Sequence, residues 1–398
     1  MQWEDLQRSK GIKLNKYSFI SSALEERKER HLFRSLKSVL PLAGGEVEVN
    51  GRRMVNFCSN DYLGLSTHPL LKQRMIEYTE RYGAGSAASR LVCGNLRFFD
   101  ELEARLARLT GHESAIVFNS GFQANVSLLP AITDSSTLIL SDALNHNSII
   151  QGCKLSRCYV TPFNHNDLNH LEDILKKGVG LHTRRLIVTE SIFSMDGDMA
   201  DIDALILLSE RYDALLLVDE AHATGVMGKN GMGISSNKDV DMVMGTFSKA
   251  VGSFGAYVSS NSMMRDYIIN FCNGFIYTTA LPPGVIGAID AAIELIPQMD
   301  KEREGLMENS ARLRKGLAEQ GYDTGKSATH IIPVIIGDEE EALRLSAWLL
   351  ENSVLATTFR PPTVPRGQSR IRIAITSAHN EGHVDLLLAL FKRWREIN

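Results

Sequence analysis

Lys249 ends the run Thr246-Phe247-Ser248-Lys249, and Asp219-Glu220-Ala221-His222 ends 27 residues before it. An amine can form a Schiff base with an aldehyde when desolvation lowers its pKa enough to leave part of it neutral. A lysine taken alone is more often a solvated surface charge. Here Thr246, Ser248 and Gly252 flank it and the apolar run Met242 to Thr246 precedes it, which argues for the end of a buried strand. Asp219 closes Leu215-Leu216-Leu217-Val218, an aliphatic run of the kind buried on both faces of a parallel sheet. A carboxylate there is costly without a cationic partner. Strand carboxyl ends in open α/β sheets are also where ligands lie. The plainer reading of Asp219 and His222 is a capped strand end with its own salt bridge, and the sequence leaves both open.

Other strand ends carry similar groups. In Phe118-Asn119-Ser120-Gly121-Phe122 a strand stops and a helix begins, so free backbone N–H groups point at an anion such as a phosphate. An ordinary N-cap is the alternative. His146, in Asp142-Ala143-Leu144-Asn145-His146-Asn147, is placed either to lie against an aromatic ligand or to cap a helix at the surface. Ser194 belongs to Glu190-Ser191-Ile192-Phe193-Ser194-Met195-Asp196-Gly197-Asp198, a loop rich in hydrogen-bonding side chains. An acid for a pyridinium nitrogen, a lysine for an aldehyde and a helix N-terminus for a phosphate together match pyridoxal 5′-phosphate. On that reading Asp219 keeps the ring nitrogen protonated and His222 reaches the phenolic oxygen.

The elements that must position these groups follow from the pattern. Strands are expected near 114–118, 137–140, 157–161, 185–190, 214–219, 241–245 and 254–258, separated by helix-sized intervals. That spacing implies right-handed crossovers and a mainly parallel seven-stranded sheet in a large α/β domain. Before it, helical periodicity runs from Leu14 to Leu40, with Leu24, Leu32, Phe33 and Leu36 on one face. Two alternating segments then flank Asn50-Gly51, a hairpin signal. Pro69 opens a helix, and the glycine-rich segment Gly83 to Arg90 precedes another over 97–109. After Pro283 one long helical stretch runs to about residue 320. It leads to strands at 331–336 and 370–375 with helices near 339–351 and 380–396, a smaller α+β unit. The expected division is an N-terminal helix and hairpin segment over 1–58, a large domain over 59–283 and a C-terminal α+β domain over 284–398.

With 398 residues, 44% hydrophobic and 23% charged, the composition is that of a soluble globular protein. A net charge of −4 with dispersed basic residues argues against nucleic acid as a partner. No apolar run reaches the roughly 18 residues of a membrane span, and the polar Met1-Gln2-Trp3-Glu4-Asp5 lacks the apolar core of a secretory signal. The cytoplasm is the expected compartment. Five cysteines (Cys58, Cys93, Cys153, Cys158, Cys272) without a C-x-x-C pair suggest no metal site and no disulfide framework, and are expected to be mostly buried thiols.

From about Leu24 to Leu390 the chain resembles the α-oxoamine synthases, fold-type I pyridoxal-phosphate enzymes. The resemblance rests on Ser59-Asn60-Asp61-Tyr62-Leu63-Gly64, Ser120-Gly121-Phe122, Phe193-Ser194-Met195-Asp196-Gly197, Val218-Asp219-Glu220-Ala221-His222, Thr246-Phe247-Ser248-Lys249 and Tyr277-Thr278-Thr279-Ala280-Leu281-Pro282-Pro283. Arg360-Pro361-Pro362-Thr363-Val364-Pro365, followed by Ser369-Arg370-Ile371-Arg372-Ile373, adds to it. It implies that Lys249 binds the cofactor covalently and moves the Cα proton, with Asp219, His146 and His222 as its catalytic companions. Ser194 joins His222 at the phenolic oxygen. Ser120, Gly121, Phe122 and Thr246 hold the phosphate, together with Thr278 or Thr279 from a neighbouring subunit of a homodimer. Arg372 binds the amino-acid carboxylate, and Arg34, Asn60 and Thr363 line the acyl-donor side.

The implied reaction is a decarboxylative condensation of L-alanine with a pimeloyl thioester, carried on coenzyme A or on an acyl carrier protein, in biotin biosynthesis. Ser89 leaves room for the methyl group of alanine where glycine-using relatives have a bulkier residue. Ala87-Ala88 departs from the glycines usual in that segment, and extra residues precede the first shared helix. Both touch the acyl-donor region, so glycine with acetyl-CoA, or a longer acyl donor giving a long-chain amino-ketone signal, are the competing readings. A non-catalytic partner subunit is the reading of another class; the joint retention of Lys249, Asp219, His222 and His146 speaks against it.

Overall fold

The computed structural model describes residues 16–397. Its centre is a seven-stranded sheet of β1 (Ser114–Phe118), β2 (Thr137–Asp142), β3 (Tyr159–Phe163), β4 (Arg184–Glu190), β5 (Leu215–Asp219), β6 (Met242–Thr246) and β7 (Ala256–Ser260). The spatial order is β1-β7-β6-β5-β4-β2-β3. All neighbours pair in parallel except β7, which runs antiparallel to both β1 and β6. The expected mainly parallel sheet of fold type I is therefore present.

The strands are apolar on both faces because helices cover both. Leu216 and Val218 of β5 pack with Ile202, Leu205 and Leu208 of the helix Ile202–Arg211. Leu217 points the other way, into a cluster with Ala124, Leu128 and Leu129 of the helix Gly121–Ile132. Each such fully buried aliphatic side chain stabilises the sheet by roughly 1.5–3 kcal/mol. The register sets Glu190 beside Asp219 and Asp219 beside Met244, so β4, β5 and β6 end side by side.

A smaller antiparallel sheet in the order Ile331–Gly337, Ser369–Ala374, Thr357–Phe359 lies beyond the large one. The Asn50-Gly51 hairpin forms as expected, with both turn residues at positive φ (52° and 74°) and strands Glu46–Val49 and Arg52–Asn56. Its second strand pairs in parallel with Val354–Leu355, which ties the N-terminal segment to the C-terminal unit.

Several expectations are corrected. The N-terminal helix covers only Ser18–Glu29 and buries no residue; His31 turns left-handed at φ 53°, and Leu32, Phe33 and Leu36 follow outside any helix or strand, with Leu36 fully exposed. The left-handed backbone at His31 ends the helix that the periodicity would continue. Positions 14 and 15, and the Met1–Asp5 stretch, lie outside the described residues. Between β5 and β6 there is no α-helix, only a short turn at Lys229–Gly231. The helical stretch after 283 is two helices, Pro283–Leu295 and Asp300–Glu319. They are broken at Ile296–Gln298, where Pro297 has no N–H to donate. Of the five cysteines only Cys153 and Cys272 are buried, and Cys93 is exposed. Among the described residues no helix is long and apolar enough to cross a membrane.

Candidate active site

The carboxyl ends of β4, β5 and β6 meet the turn after the hairpin and the middle strand of the small sheet. Lys249, three residues past the end of β6, puts its Nζ 2.9 Å from Nε2 of His222. The other ring nitrogen of His222, Nδ1, is 2.7 Å from the hydroxyl of Tyr62. Tyr62 comes from the turn after the hairpin, and its hydroxyl lies 3.0 Å from Oδ1 of Asn60 in the same turn. Arg372 enters from the middle strand of the small sheet. It donates from Nη1 and Nη2 to Asn60 Oδ1 at 3.2 and 3.3 Å, from Nη2 to the Tyr62 oxygen at 3.4 Å, and from Nε to the carbonyl of Ser194 at 2.5 Å. The period of two along Ser369–Ala374 explains its direction. Arg370 and Arg372 face the 194–196 loop, with Arg370 paired to Asp196 at 2.6 Å, while Ile371 and Ile373 fill the core.

Asp219 is 4% exposed. Its Oδ1 accepts from the backbone N–H of Ala221 and its Oδ2 from Nδ2 of Asn125, both at 2.8 Å. Among the described residues no lysine, arginine or histidine lies within ion-pair distance of it. The salt bridge of the plainer reading is therefore not there. A buried carboxylate held by neutral donors is suited to a cation supplied by a ligand.

Electrostatics follow from burial. Desolvation lowers the pKa of Lys249 to about 8, against the attraction of Asp219 and Glu190. Burial, reinforced by the charges of Lys249 and Arg372, holds His222 well below the ordinary histidine range, so it is neutral. Glu190, beside Asp219, is pushed well above the carboxylate range by burial and then by the charge of Asp219. Its Oε1 accepts from the backbone N–H of His146 at 2.6 Å. His146 is itself exposed and caps the helix Asn147–Leu155, with Nδ1 held 2.7 Å from Ser148 Oγ.

Ser120 caps the helix Gly121–Ile132 through the Gln123 N–H at 3.1 Å. A Cβ built on Gly121 would sit 3.9 Å from Cβ of Thr246, so this turn abuts the end of β6. Phe122 is half exposed. Thr246 Oγ1 donates to the carbonyl of Gly255 at 3.0 Å. Thr278 and Thr279 lie beside the same turn within this chain. Asn119 Nδ2 donates to Thr278 Oγ1 at 3.0 Å and to the Thr279 carbonyl at 2.8 Å, and Thr279 pairs with Ser89 as an isolated bridge.

Arg34 and Thr363 are exposed and stand apart from the lysine cluster. Both line a cavity of about 510 Å³ with Lys37 and Arg360. Thr363 also borders a second cavity of about 780 Å³, lined by Arg27, Arg30 and Leu144. Neither cavity is lined by Lys249, His222 or Arg372.

Sequence reasoning gave no role to Asn125, Glu190, Tyr62 or His330. Asn125 had a signal, a polar residue one turn into an otherwise apolar helix face. His330 had none; it is fully buried, edge-on to Tyr62 at 4.0 Å, with neither ring nitrogen hydrogen-bonded.

Residues 52–391 match the model of the family described as aminotransferase class I and II. The chain belongs to that family, as an α-oxoamine synthase. A Desulfosudis oleivorans protein provisionally named 8-amino-7-oxononanoate synthase is 54% identical over 383 residues, covering 96% of this chain and 100% of its own. The 8-amino-7-oxononanoate synthase of Gluconacetobacter diazotrophicus is 48% identical over 379 residues, 93% and 95% of the two chains. Among solved structures, a serine palmitoyltransferase holding a PLP internal aldimine superposes with a TM-score of 0.89 at 26% identity, over 97% of this α-oxoamine synthase and 99% of that chain.

Proposed function

We propose that the chain condenses L-alanine with a pimeloyl thioester to give 8-amino-7-oxononanoate, CO2 and the free thiol, a step of biotin biosynthesis. The observation that carries this reading is Asp219, a buried carboxylate fixed by Asn125 and Ala221 with no cationic side chain of the described residues at ion-pair distance, at the strand ends that also bear Lys249 and His222. The cofactor that fits is pyridoxal 5′-phosphate, which supplies an aldehyde for Lys249 and a cationic ring that withdraws electrons from the substrate Cα.

The residues of the chain then divide the work. Asp219 faces the ring nitrogen, His146 covers the ring, and His222 with Ser194 meets the phenolic oxygen. Ser120, Gly121, Phe122 and Thr246 take the phosphate; Thr278 or Thr279 of a second copy completes it in a homodimer with shared sites. Lys249, partly neutral at physiological pH because burial lowers its pKa to about 8, removes the Cα proton of alanine and later returns one. Arg372 takes the alanine carboxylate, which leaves as CO2 after the new C–C bond has formed and the thiol has departed. Arg34, Asn60 and Thr363 receive the acyl donor, on coenzyme A or an acyl carrier protein. Ser89 leaves space for the methyl group of alanine, a difference of about 1–3 kcal/mol against glycine. On this reading the chain is cytoplasmic and divides into 1–58, 59–283 and 284–398.

Borohydride treatment of the cofactor-loaded protein followed by peptide mapping tests the lysine; label on another lysine overturns the assignment. CO2 release with alanine, glycine and serine crossed against pimeloyl, acetyl and decanoyl thioesters tests the substrates. Turnover confined to glycine with acetyl-CoA removes the proposed reaction.

A further inference from the structure

The Lys249, His222, Tyr62, Asn60 and Arg372 contacts form one unbroken hydrogen-bonded line. Tyr62 is its branch point. Burial raises the pKa of Tyr62, so its hydroxyl stays protonated and has one hydrogen to give. Two acceptors compete for that hydrogen, His222 Nδ1 at 2.7 Å and Asn60 Oδ1 at 3.0 Å. Asn60 Oδ1 already accepts from two nitrogens of Arg372, and Arg372 also donates to the Tyr62 oxygen. With Arg372 so engaged, the hydroxyl donates to Nδ1. A neutral imidazole that accepts at Nδ1 carries its proton on Nε2, so Nε2 presents a donor to Lys249. A donor there opposes the ammonium form of the lysine, which has only donors to offer.

We propose that Tyr62 is a positioning residue that selects the ring nitrogen of His222 bearing the proton, and thereby couples occupation of Arg372 by a carboxylate to the proton on Lys249. A carboxylate that draws Arg372 away frees Asn60 Oδ1 to accept from Tyr62. The imidazole then shifts its proton to Nδ1, which donates to the Tyr62 oxygen, and Nε2 accepts from the ammonium group of Lys249. Within the line one hydroxyl rotates and one imidazole proton changes nitrogen; the proton that turns the Lys249 amine into an ammonium comes from solvent. The other groups facing this line are Asp219 and Glu190 toward Lys249, and His146 and His330 toward His222. His330 is held neutral, pushed down by burial to about 3, and packs its ring on Tyr62. Only the identification of the carboxylate with that of alanine rests on the proposed function.

The test reads Lys249 directly, without cofactor or turnover. The full-length chain stripped of cofactor is labelled with trinitrobenzenesulfonate across pH, the Lys249 peptide is quantified, and the series is repeated with saturating propionate as the carboxylate probe. The native chain is expected to show a midpoint near 8 that propionate raises by about half a pH unit or more, slowing labelling at pH 7 about threefold. Tyr62→Phe, which keeps the ring against His330, is expected to start with the higher midpoint and to lose most of the propionate response. Asn60→Ala removes the other acceptor of the hydroxyl and is expected to keep the midpoint low even with propionate. In a His222→Gln background the Tyr62→Phe change is expected to move nothing further. An unchanged midpoint and an equal propionate response in Tyr62→Phe, or no response in the native chain, overturns the coupling. A failure of the cofactor reading shows instead as no borohydride-fixed adduct at Lys249, which leaves these labelling results untouched.

Discussion

Asn125 donates from Nδ2 to Oδ2 of Asp219 at 2.8 Å although 94 residues separate the two in sequence. The same amide group lies 3.0 Å from Ser148 Oγ, and Ser148 Oγ lies 2.7 Å from His146 Nδ1. The acid and the histidine proposed to face two sides of one cofactor ring are thus held by a single asparagine and a serine.

Asn125→Ala leaves a buried carboxylate short of a donor, a loss of about 1–3 kcal/mol. Urea unfolding of the cofactor-free chain is expected to show that loss. Pyridoxal phosphate binding is expected to weaken about tenfold, because each 1.4 kcal/mol is a factor of ten in affinity. Unchanged affinity with reduced stability would separate Asn125 from the site.

Lys249 has a folded-state pKa lowered to about 8, below its unfolded value. Below pH 8 the folded state must carry a charge that burial disfavours, so the stability cost is fully present there. It fades as pH rises from about 8 toward the unfolded lysine value near 10.4, where the unfolded chain binds the extra proton. Lys249→Met is therefore expected to stabilise the cofactor-free chain at pH 7 by about 1–3 kcal/mol while abolishing covalent cofactor binding. Chemical denaturation at pH 7 and at pH 10 checks it; a destabilised variant at pH 7 contradicts the argument.

His165 bridges two buried acids, with Nδ1 2.9 Å from Asp142 Oδ1 and Nε2 2.7 Å from Asp198 Oδ2. Burial works against its charge, but Asp142 and Asp198 outweigh burial and raise its pKa to about 10. A raised folded-state pKa gives stability that is fully present below the unfolded value near 6.5 and is lost as pH rises through about 10. His165→Asn leaves two acids uncompensated and is expected to cost about 3–5 kcal/mol at pH 6. The deficit should shrink in melts above pH 10. A constant deficit across pH would mean that the cost is packing alone.

Gly197 sits at φ +67°, and an added Cβ would lie 1.9 Å from the carbonyl oxygen of Ile331. Its own carbonyl accepts from Thr329 Oγ1 at 2.9 Å and from the Ala328 N–H at 3.1 Å, which joins the Ser194 loop to the small sheet. Gly197→Ala combines left-handed strain with a backbone clash, and a loss above about 2 kcal/mol is expected from such a site. Thermal melting measures the loss, and a weaker KM for the amino acid would report the displaced Ser194 contact to Arg372.

The large sheet was legible because its signals are local. The runs ending in Asp142, Glu190, Asp219 and Thr246 alternate with helix-sized spacers, and each run is apolar enough to be buried on both faces. The same locality placed Asp219, His222 and Lys249 at strand ends. Local pattern misled in the N-terminal stretch, whose helix stops at Glu29 before the left-handed turn at His31.

Sequence alone determined the kind of chemistry, since an acid, an imidazole and an amine closing buried strands of a parallel sheet have few other uses. Only the tertiary structure decided what each of them touches. Arg372 reaches Asn60 across 312 residues and Tyr62 reaches His222 across 160. Asp142 at the end of β2 and Asp198 in the loop after β4 meet on His165. Hydrogen bonds act over about 3 Å, and no periodicity in the chain encodes which distant turn will arrive within that distance once the two sheets have packed.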